Sequence, residues 1–445
     1  MNQNKFQRTK IGLLPNDWQV TPLNNYADII TKGTTPTTYG FNYEEEGINF
    51  VKIESIDNNG KFKVDLFTKI SEEAHKKLKR SQLKNNDLLI TIAGNLGRIA
   101  LVNEEILPAN TNQAVAIVRF SEKNPNDLRF IYHFLKGYSL KKYIQMVSTV
   151  GAQPNLSLKQ VGEIDLALPP LNEQQKIAAI LSSVDEAIEK TEQIMEQTET
   201  VKKGLMQQLL TKGIGQTDFK DTPIGKIPSS WNLISIDELF VVEGGMSFSR
   251  AQLSEDGYPY IHYGDIHASK KQYIDTEDFD SMPKINIEKS KIKQGAVVGK
   301  GDIVISDASE DTDGIGRYFV IRDQGNELIV SGLHTIVLKD KSTLLDDFYK
   351  EYVFQSLLMK KQFRRIATGA TVYGISKGNV KKLLVPVPPK EEQIKIARMI
   401  IETDRKITHE NSKLPFLRNI KHGLMQQLLT GKVRVSINEN EEVPS

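Results

Sequence analysis

Four features of the chain carry residue types that could do chemistry at close range. Gly295-Ala296-Val297-Val298-Gly299-Lys300-Gly301 approaches the form of a phosphate-cradling loop. That loop needs Gly-x4-Gly-Lys-Ser/Thr, so that backbone N–H groups wrap the phosphates and a hydroxyl holds magnesium. The stretch is one residue short and has no hydroxyl, so it reads as a turn before a strand. Ser309-x-Asp311-x-Asp313-Gly314 begins like a calcium loop, but its twelfth position is Val320 where a bidentate Glu is required. His262 and His267 lack the i, i+4 spacing that aims two imidazoles from one helix at one ion. Pro169-Pro170-Leu171 and Pro388-Pro389-Lys390 do not fit the Asn/Asp-Pro-Pro-Tyr/Phe motif that presents an amino group for methylation. With no cysteine, thiolate nucleophiles, disulfides and Cys-based zinc sites are excluded together. No nucleophile–base constellation remains. The chain reads as a binder with no catalytic residue, metal or cofactor of its own.

The elements that would position a binding surface come in two copies. Ile11-Gly12-Leu13-Leu14-Pro15-Asn16-Asp17-Trp18 returns as Ile224-Gly225-Lys226-Ile227-Pro228-Ser229-Ser230-Trp231, and these are the only two tryptophans. Pro169-Pro170-Leu171-Asn172-Glu173-Gln174-Gln175-Lys176-Ile177-Ala178 is echoed 219 residues later from Pro388 to Ala397. Gly204-Leu205-Met206-Gln207-Gln208-Leu209-Leu210-Thr211 recurs letter for letter at the same offset, Gly423 to Thr430. So long a period is no solenoid, whose repeats run about 20–50 residues; it is a tandem duplication of whole domains.

Each copy mixes short β-rich runs, such as Asp87 to Ile92 and Asp302 to Ile305, with helical stretches such as Leu128 to Leu140 and Phe348 to Phe363. At 445 residues, 39% hydrophobic and 26% charged, the composition is that of a globular protein of several domains. The net charge of +2 excludes a bulk polycation, so any nucleic-acid surface must gather its charge locally. The N-terminus MNQNKFQRTK lacks the apolar core of a signal peptide, and no run of about 18 apolar residues occurs, so a cytoplasmic location is expected.

After each Pro-Pro the pattern changes to helical. Asn172 with Gln175 can form a capping box, and apolar or tolerated residues follow at 4-3 spacing: Ile177, Leu181, Val184, Ile188, Thr191, Met195, Thr198, Leu205 and Leu209. The second copy gives Ile396, Ile400, Thr403, Ile407, Leu414, Leu417, Leu424 and Leu428, with Glu410 and Lys421 as polar interruptions. Each helix stops at a glycine, Gly213 or Gly431. A stripe this narrow on a helix of about 39 residues, or ~58 Å, needs a partner helix. Two equal helices in one chain pair most simply antiparallel, with pseudo-twofold symmetry. Gly204 and Gly423 inside them suggest close backbone approach, and Pro415 should kink the second.

These motifs resemble the DNA-specificity subunits of type I restriction-modification enzymes, over nearly the whole chain and including the duplication. The resemblance implies two α/β (α+β) target-recognition domains joined by two long antiparallel coiled-coil helices. The boundaries are 1–168 for the first domain, 169–212 for the first helix, 213–387 for the second domain, 388–431 for the second helix and 432–445 for a tail. Each domain would read one half of a split, asymmetric site on double-stranded DNA, and the helices would set the gap. Two adenine-methylating modification subunits, carrying S-adenosylmethionine, and ATP- and Mg-dependent restriction subunits are the implied partners. Two alternatives stay open: the specificity subunit of a system with a fused methylase-nuclease partner, and a coiled-coil adaptor that binds no DNA.

Within this frame certain positions are candidate DNA contacts. Lys52 and His262, with Tyr263 beside the latter, match a family segment with a basic residue before a Gly/Ser-Asp-Ile-like end. Gly97-Arg98 and Gly316-Arg317 pair a glycine that lets backbone approach phosphate with an arginine that could bind phosphate or guanine. Lys141 and Lys142 recur as Lys360 and Lys361, followed by Arg364, and each set leads to a Gly-Ala loop, Gly151-Ala152 or Gly369-Ala370. Thr35 sits in a hydroxyl-rich loop. The expected helix-pairing residues are Leu181, Val184, Ile188, Met195, Leu205, Ile400, Ile407, Leu414, Leu417 and Leu424.

Overall fold

The computed structural model describes residues 6–121, 124–147 and 155–436. The chain divides into two compact units: residues 1–192 with 412–445, and residues 193–411. The dividing points fall inside the two long helices rather than at their ends, a difference from the five-part division expected from sequence. The physical reason lies in the cores described below: each takes in the ends of both helices.

In the first unit, strand β1 (Ala27–Lys32), β2 (Ile48–Val51), β3 (Leu88–Thr91), β4 (Ile99–Leu101), β5 (Ala109–Thr111) and β6 (Val115–Phe120) build two sheets. One is antiparallel in the order β1-β6-β3-β4. The other sets β2 parallel to β5, with Thr68–Ile70 on its far side. Every residue of β3 is buried, as its unbroken apolar run requires of a strand covered on both faces. Helix α1 (Leu128–Lys136) and α2 (Tyr138–Val147) pack beside the sheet. The single helix expected over this stretch is divided at Gly137, whose N–H closes onto the carbonyls of His133 and Phe134. Strand Gln19–Pro22 pairs with Asp165–Leu168 and so closes the domain just before helix α3 (Leu171–Lys212).

The second unit repeats this plan. Strands β7 (Phe240–Gly244), β8 (Tyr258–Ile261), β9 (Ile303–Ser306), β10 (Tyr318–Ile321), β11 (Ile329–Ser331) and β12 (Thr335–Asp340) form an antiparallel run β7-β12-β9-β10, and β8 lies parallel to β11. Helix α4 (Tyr263–Ala268) follows β8; α5 (Asp347–Val353) and α6 (Leu357–Ile366) correspond to α1 and α2. Ser356 starts α6 by accepting from Met359 N–H. Asn232–Ser235 pairs with Leu384–Val387 ahead of α7 (Lys390–Leu428).

The long helices meet within each unit, and do so antiparallel. In the first, Ile177, Ala178 and Leu181 share a core with Leu428 and Leu429, Asp185 is ion-paired with Lys421, and Glu192 with Arg418 at 3.1 Å. In the second, Leu209 and Leu210 share a core with Ile396, Ala397 and Ile400, and Lys202 meets Asp404 at 2.5 Å. The two lysine–aspartate pairs are each other's counterparts at the 219-residue offset. All ten expected pairing residues are buried or half-buried. The threonines in the stripe, Thr191 and Thr198, are buried with their hydroxyls bonded to the carbonyls of Ala187 and Ile194, so neither is left unsatisfied.

Four points about the helices add to or alter what was expected. Pro170, not Asn172, starts α3: its carbonyl accepts from the N–H groups of Glu173 and Gln174, which puts Asn172 inside the first turn. Pro415 lies exposed within α7, which continues unbroken past it; the ring removes only one ladder bond. Among the described residues nothing stands within 4 Å of a Cβ built on Gly204 or Gly423, so neither marks a close approach to any of them. Finally, Leu209-Leu210 and Leu428-Leu429, the repeated leucine pairs, do more than end a stripe. They bury beside Trp231 and Trp18 in the cores of the two units.

Candidate nucleic-acid interface

In each unit the same four segments converge at one end of the central strand. In the second they are helix α4, the loop 307–317 after β9, the turn 332–334 before β12, and the end of α6 with the hairpin 368–374. Asp307 joins three of them: its N–H donates to the His334 carbonyl at 3.0 Å, and its own carbonyl accepts from Ile375 N–H at 2.9 Å. Ala308 and Ser309 pair with Gly374 and Tyr373. His267 of α4 reaches the Ser306 hydroxyl at 3.0 Å and the Ala308 carbonyl at 2.8 Å. In the first unit the counterparts are the turn Ile53–Ser55, the loop 92–98, the turn 112–114 and α2. Gly151-Ala152, expected to extend this set, lies outside the described residues.

The glycine–arginine pairs hold these segments together instead of standing free for phosphate. Arg98 donates from Nη1 to the carbonyls of Ile53 at 3.2 Å and Ile56 at 2.7 Å. Arg317 donates to the His267 carbonyl at 2.7 Å, although its side chain is exposed. Both arginines therefore tie the loop after the central strand to the turn or helix after the parallel strand. The glycines before them adopt φ +79° and +77°, where an L side chain is strained. A Cβ would also strike Ile144 of α2 or Phe363 of α6, at 2.5 and 2.6 Å. The close approach seen at each glycine is to a side chain of the helix that follows.

Other predicted contacts divide between scaffold and surface. His262 is buried and caps α4, its Nδ1 accepting from Gly264 N–H at 3.1 Å, so it supports Tyr263 from behind. Lys52 is half-buried with its ammonium 4.1 Å from the Tyr43 ring centre. The Thr35 hydroxyl bonds the Gln113 side chain, joining its loop to the turn before β6. Lys141, Lys142, Lys360 and Lys361 are exposed on α2 and α6, and exposed Arg364 is ion-paired with Asp313. The apparent calcium carboxylates are thus occupied: Asp313 by that arginine, Asp311 by Gly314 N–H at 2.6 Å. Among the described residues no His/Cys/Asp/Glu group is arranged to hold a metal. The Gly295–Gly301 stretch contains a short strand, Val297–Val298, antiparallel to β11, and turns only from Gly299 ahead of β9, with Gly301 at φ +83°.

The units join the helix pair through clamps that sequence reasoning missed. Buried Gln174 accepts from Asp127 N–H at 3.0 Å and donates to Asn126 and the Pro169 carbonyl, both at 2.9 Å. Gln393 repeats this with Asp346 N–H, Leu344 and Pro388. Asp127 and Asp346 are the caps of α1 and α5, so one glutamine sets the approach of helix to domain. The signal was present in the repeated Glu-Gln dipeptide, but its partners are remote in sequence.

The same junction is electrostatically unlike in the two units. In the second, Tyr352 donates to Asp404 at 3.0 Å beside Lys202. In the first, His133 occupies the matching place, its Nδ1 3.9 Å from Asp185, too far for a hydrogen bond. Burial pushes His133 down to about 3, opposed by Asp185 and helped by Lys421 and Lys136. Burial also lowers the ammonium groups of Lys136 and Lys421 and raises Tyr132 to about 12.

Two stretches, residues 15–200 and 228–415, match the model of the type I restriction modification DNA specificity domain. The chain belongs to this family. Relatives include the type I restriction enzyme MjaVIII specificity subunit of Methanocaldococcus jannaschii, 26% identical over 95% of this chain and 94% of that one. The EcoBI specificity subunit of Escherichia coli is 32% identical over 37% and 34% of the two chains. Among solved structures, the type I restriction-modification S subunit of M. genitalium superposes with a TM-score of 0.51 at 16% identity, covering 95% of this chain and 97% of that one. A chain from a study of type I R-M assembly and conformational transition gives 0.55 at 18%, over 94% and 99%. As a specificity subunit the chain carries two family domains in tandem, each match running on into a long helix. Among the described residues no helix is long and apolar enough to cross a membrane.

Proposed function

We propose that each unit reads one half of a bipartite, asymmetric DNA site and that the paired helices fix the distance between the halves. The observation that carries this reading is the repeated constellation of four segments on one scaffold with different side chains. The loop between the central strand and its arginine runs from 92 to 97 in one unit and from 307 to 316 in the other. Gln113, bonded to Thr35 of a neighbouring loop, lies in one set; Asp307, Tyr263 and His334 lie in the other. One framework with unlike loops is what reading two different half-sites requires, while Lys141, Lys142, Lys360, Lys361 and Arg364 supply phosphate contacts.

The chain itself catalyses nothing; methyl transfer and cleavage belong to modification and restriction subunits that hold S-adenosylmethionine, ATP and Mg in the cytoplasm. The modification subunits dock on the helix pair. Val201 and Ile420 are matching exposed apolar residues, 54% and 36% accessible, and each lies one helical turn from an open glycine, Gly204 or Gly423. Salt titration of the assembled complex on DNA tests the reading: affinity should fall steeply, with the slope less steep by about 0.9 for each phosphate-contacting lysine removed. A salt-independent association would refute it.

A further inference from the structure

The turn before β12 contains a residue in a conformation that side chains usually avoid. His334 has φ +56°, a left-handed setting that crowds the Cβ of a non-glycine residue against its backbone. Three interactions hold it there. Its carbonyl accepts from Asp307 N–H, its Nδ1 lies 3.2 Å from Asp307 Oδ1, and its ring stands edge-on to Tyr263 with centroids 5.4 Å apart at 87°. Tyr263 is itself packed against the His262 ring at 4.4 Å and His267 at 6.4 Å. Those two imidazoles are fixed by the α4 cap and by Ser306 with Ala308. The stack therefore ends on an imidazole that is 52% exposed.

A carboxylate accepts only, so the neutral imidazole facing Asp307 carries its hydrogen on Nδ1. Its Nε2 is left as an acceptor. In the major groove, adenine N6 and cytosine N4 are donors, whereas guanine O6 and thymine O4 are acceptors. A rigid acceptor thus matches an exocyclic amino group and faces an unsatisfied acceptor on the other two bases. In the first unit Thr91 pairs with Val115 as Ser306 pairs with Thr335, which places Ala114 where the second unit has His334. The first unit has no imidazole there.

We infer that His334, held by Asp307 and Tyr263, is a specificity-determining residue of the second unit, its Nε2 accepting a hydrogen bond from the exocyclic amino group of an adenine or cytosine. This rests on the two-unit DNA-reading function proposed above. The test uses the full chain assembled with its modification subunits and compares wild type with His334→Gly, which suits the left-handed backbone, and Asp307→Asn. Methylation mapping of host DNA gives the two half-sites, and binding is then measured on duplexes altered one base at a time. In wild type, one position of one half-site should prefer A or C by about tenfold, and in His334→Gly that preference should fall to about twofold with the other half-site unchanged. Purine in place of adenine, or 2-pyrimidinone in place of cytosine, removes the amino group and identifies the base; only wild type should respond. Asp307→Asn should give an intermediate preference. Two sharp half-sites retained in His334→Gly would overturn the assignment and leave the two-unit reading standing. Loss of preference at every position in an assembled His334→Gly complex would make His334 scaffold and also overturn it. A wild-type complex with no bipartite motif would defeat the underlying reading instead.

Discussion

Gly204 and Gly423 interrupt long helices at matching points, and nothing among the described residues needs their bareness. A Cβ built on either meets no atom within 4 Å, and the helix continues on both sides. Replacing glycine by alanine in a helix interior stabilises by about 1 kcal/mol through backbone entropy, with no strain here to set against it. With a urea dependence of about 2–3 kcal/mol per M, each substitution should raise the midpoint by roughly 0.3–0.5 M. The two tryptophans make the assay specific. Trp18 is buried in the first unit and Trp231 in the second, so single-tryptophan backgrounds report the units separately. Gly204→Ala should shift only the Trp231 transition, and Gly423→Ala only that of Trp18. The Trp18→Phe background should be the milder, since the Trp18 indole N–H has no hydrogen-bond partner among the described residues whereas that of Trp231 donates to Glu392 at 3.1 Å. If the glycines are kept for a docked modification subunit, the same alanines should weaken assembly. A lowered midpoint in the isolated chain would refute the reasoning, because it would mean that the position is crowded.

His133→Tyr imports the second unit's residue into the first. A histidine held at about 3 when folded and at its ordinary 6.5 when unfolded loses stability as pH falls below 6.5, so wild type should lose roughly 2 kcal/mol from this group between pH 7 and 5, and the variant should not; equal losses on the Trp18 signal would contradict this. Inserting one heptad after Glu192 and another after Asn411 should lengthen both helices by about 10 Å in phase and widen the mapped gap by about three base pairs, with both half-sites unchanged; an altered half-site would tell against the spacer role. Glu392→Gln should destabilise its unit by about 1–3 kcal/mol, more than Glu173→Gln does its own, measured on the respective tryptophans; the reverse order would contradict the donor assignments argued below.

What the sequence shows well is periodicity and repetition. The stripe from Ile177 to Leu209, the apolar runs of β3 and β9, and the turn at Gly301 follow from local spacing. What it hides is the identity of distant partners. Gly97-Arg98 has the composition of a phosphate-binding turn, yet the carbonyls of Ile53 and Ile56 take the guanidinium and Ile144 takes the space. His262 looked like a basic contact until its ring proved to be a buried helix cap. The left-handed turn at His334 left no trace in the sequence, because neighbouring Gly332 and Leu333 suggest no particular φ for it.

The two copies also show which part of a duplicated junction is fixed and which can be exchanged. Glu173, buried, and Glu392, half-buried, occupy the same step at the start of their helices, and burying a carboxylate is costly unless it is hydrogen-bonded or paired. Among the described residues Glu392 is met by neutral donors: Ile214 N–H at 2.9 Å, the Trp231 indole, and the Gln216 amide at 3.2 and 3.3 Å. Glu173 is met by Arg434, whose fork also grips Asp17 and holds that carboxyl below its ordinary range. Because every group around Glu392 donates, an amide there must turn its own N–H toward another donor. At Glu173 the guanidinium can keep Asp17 and still donate to an amide oxygen. The acceptor is therefore what both copies need, while its donor comes from whichever chain follows the opposite helix: the entry to the second unit after α3, and the tail after α7.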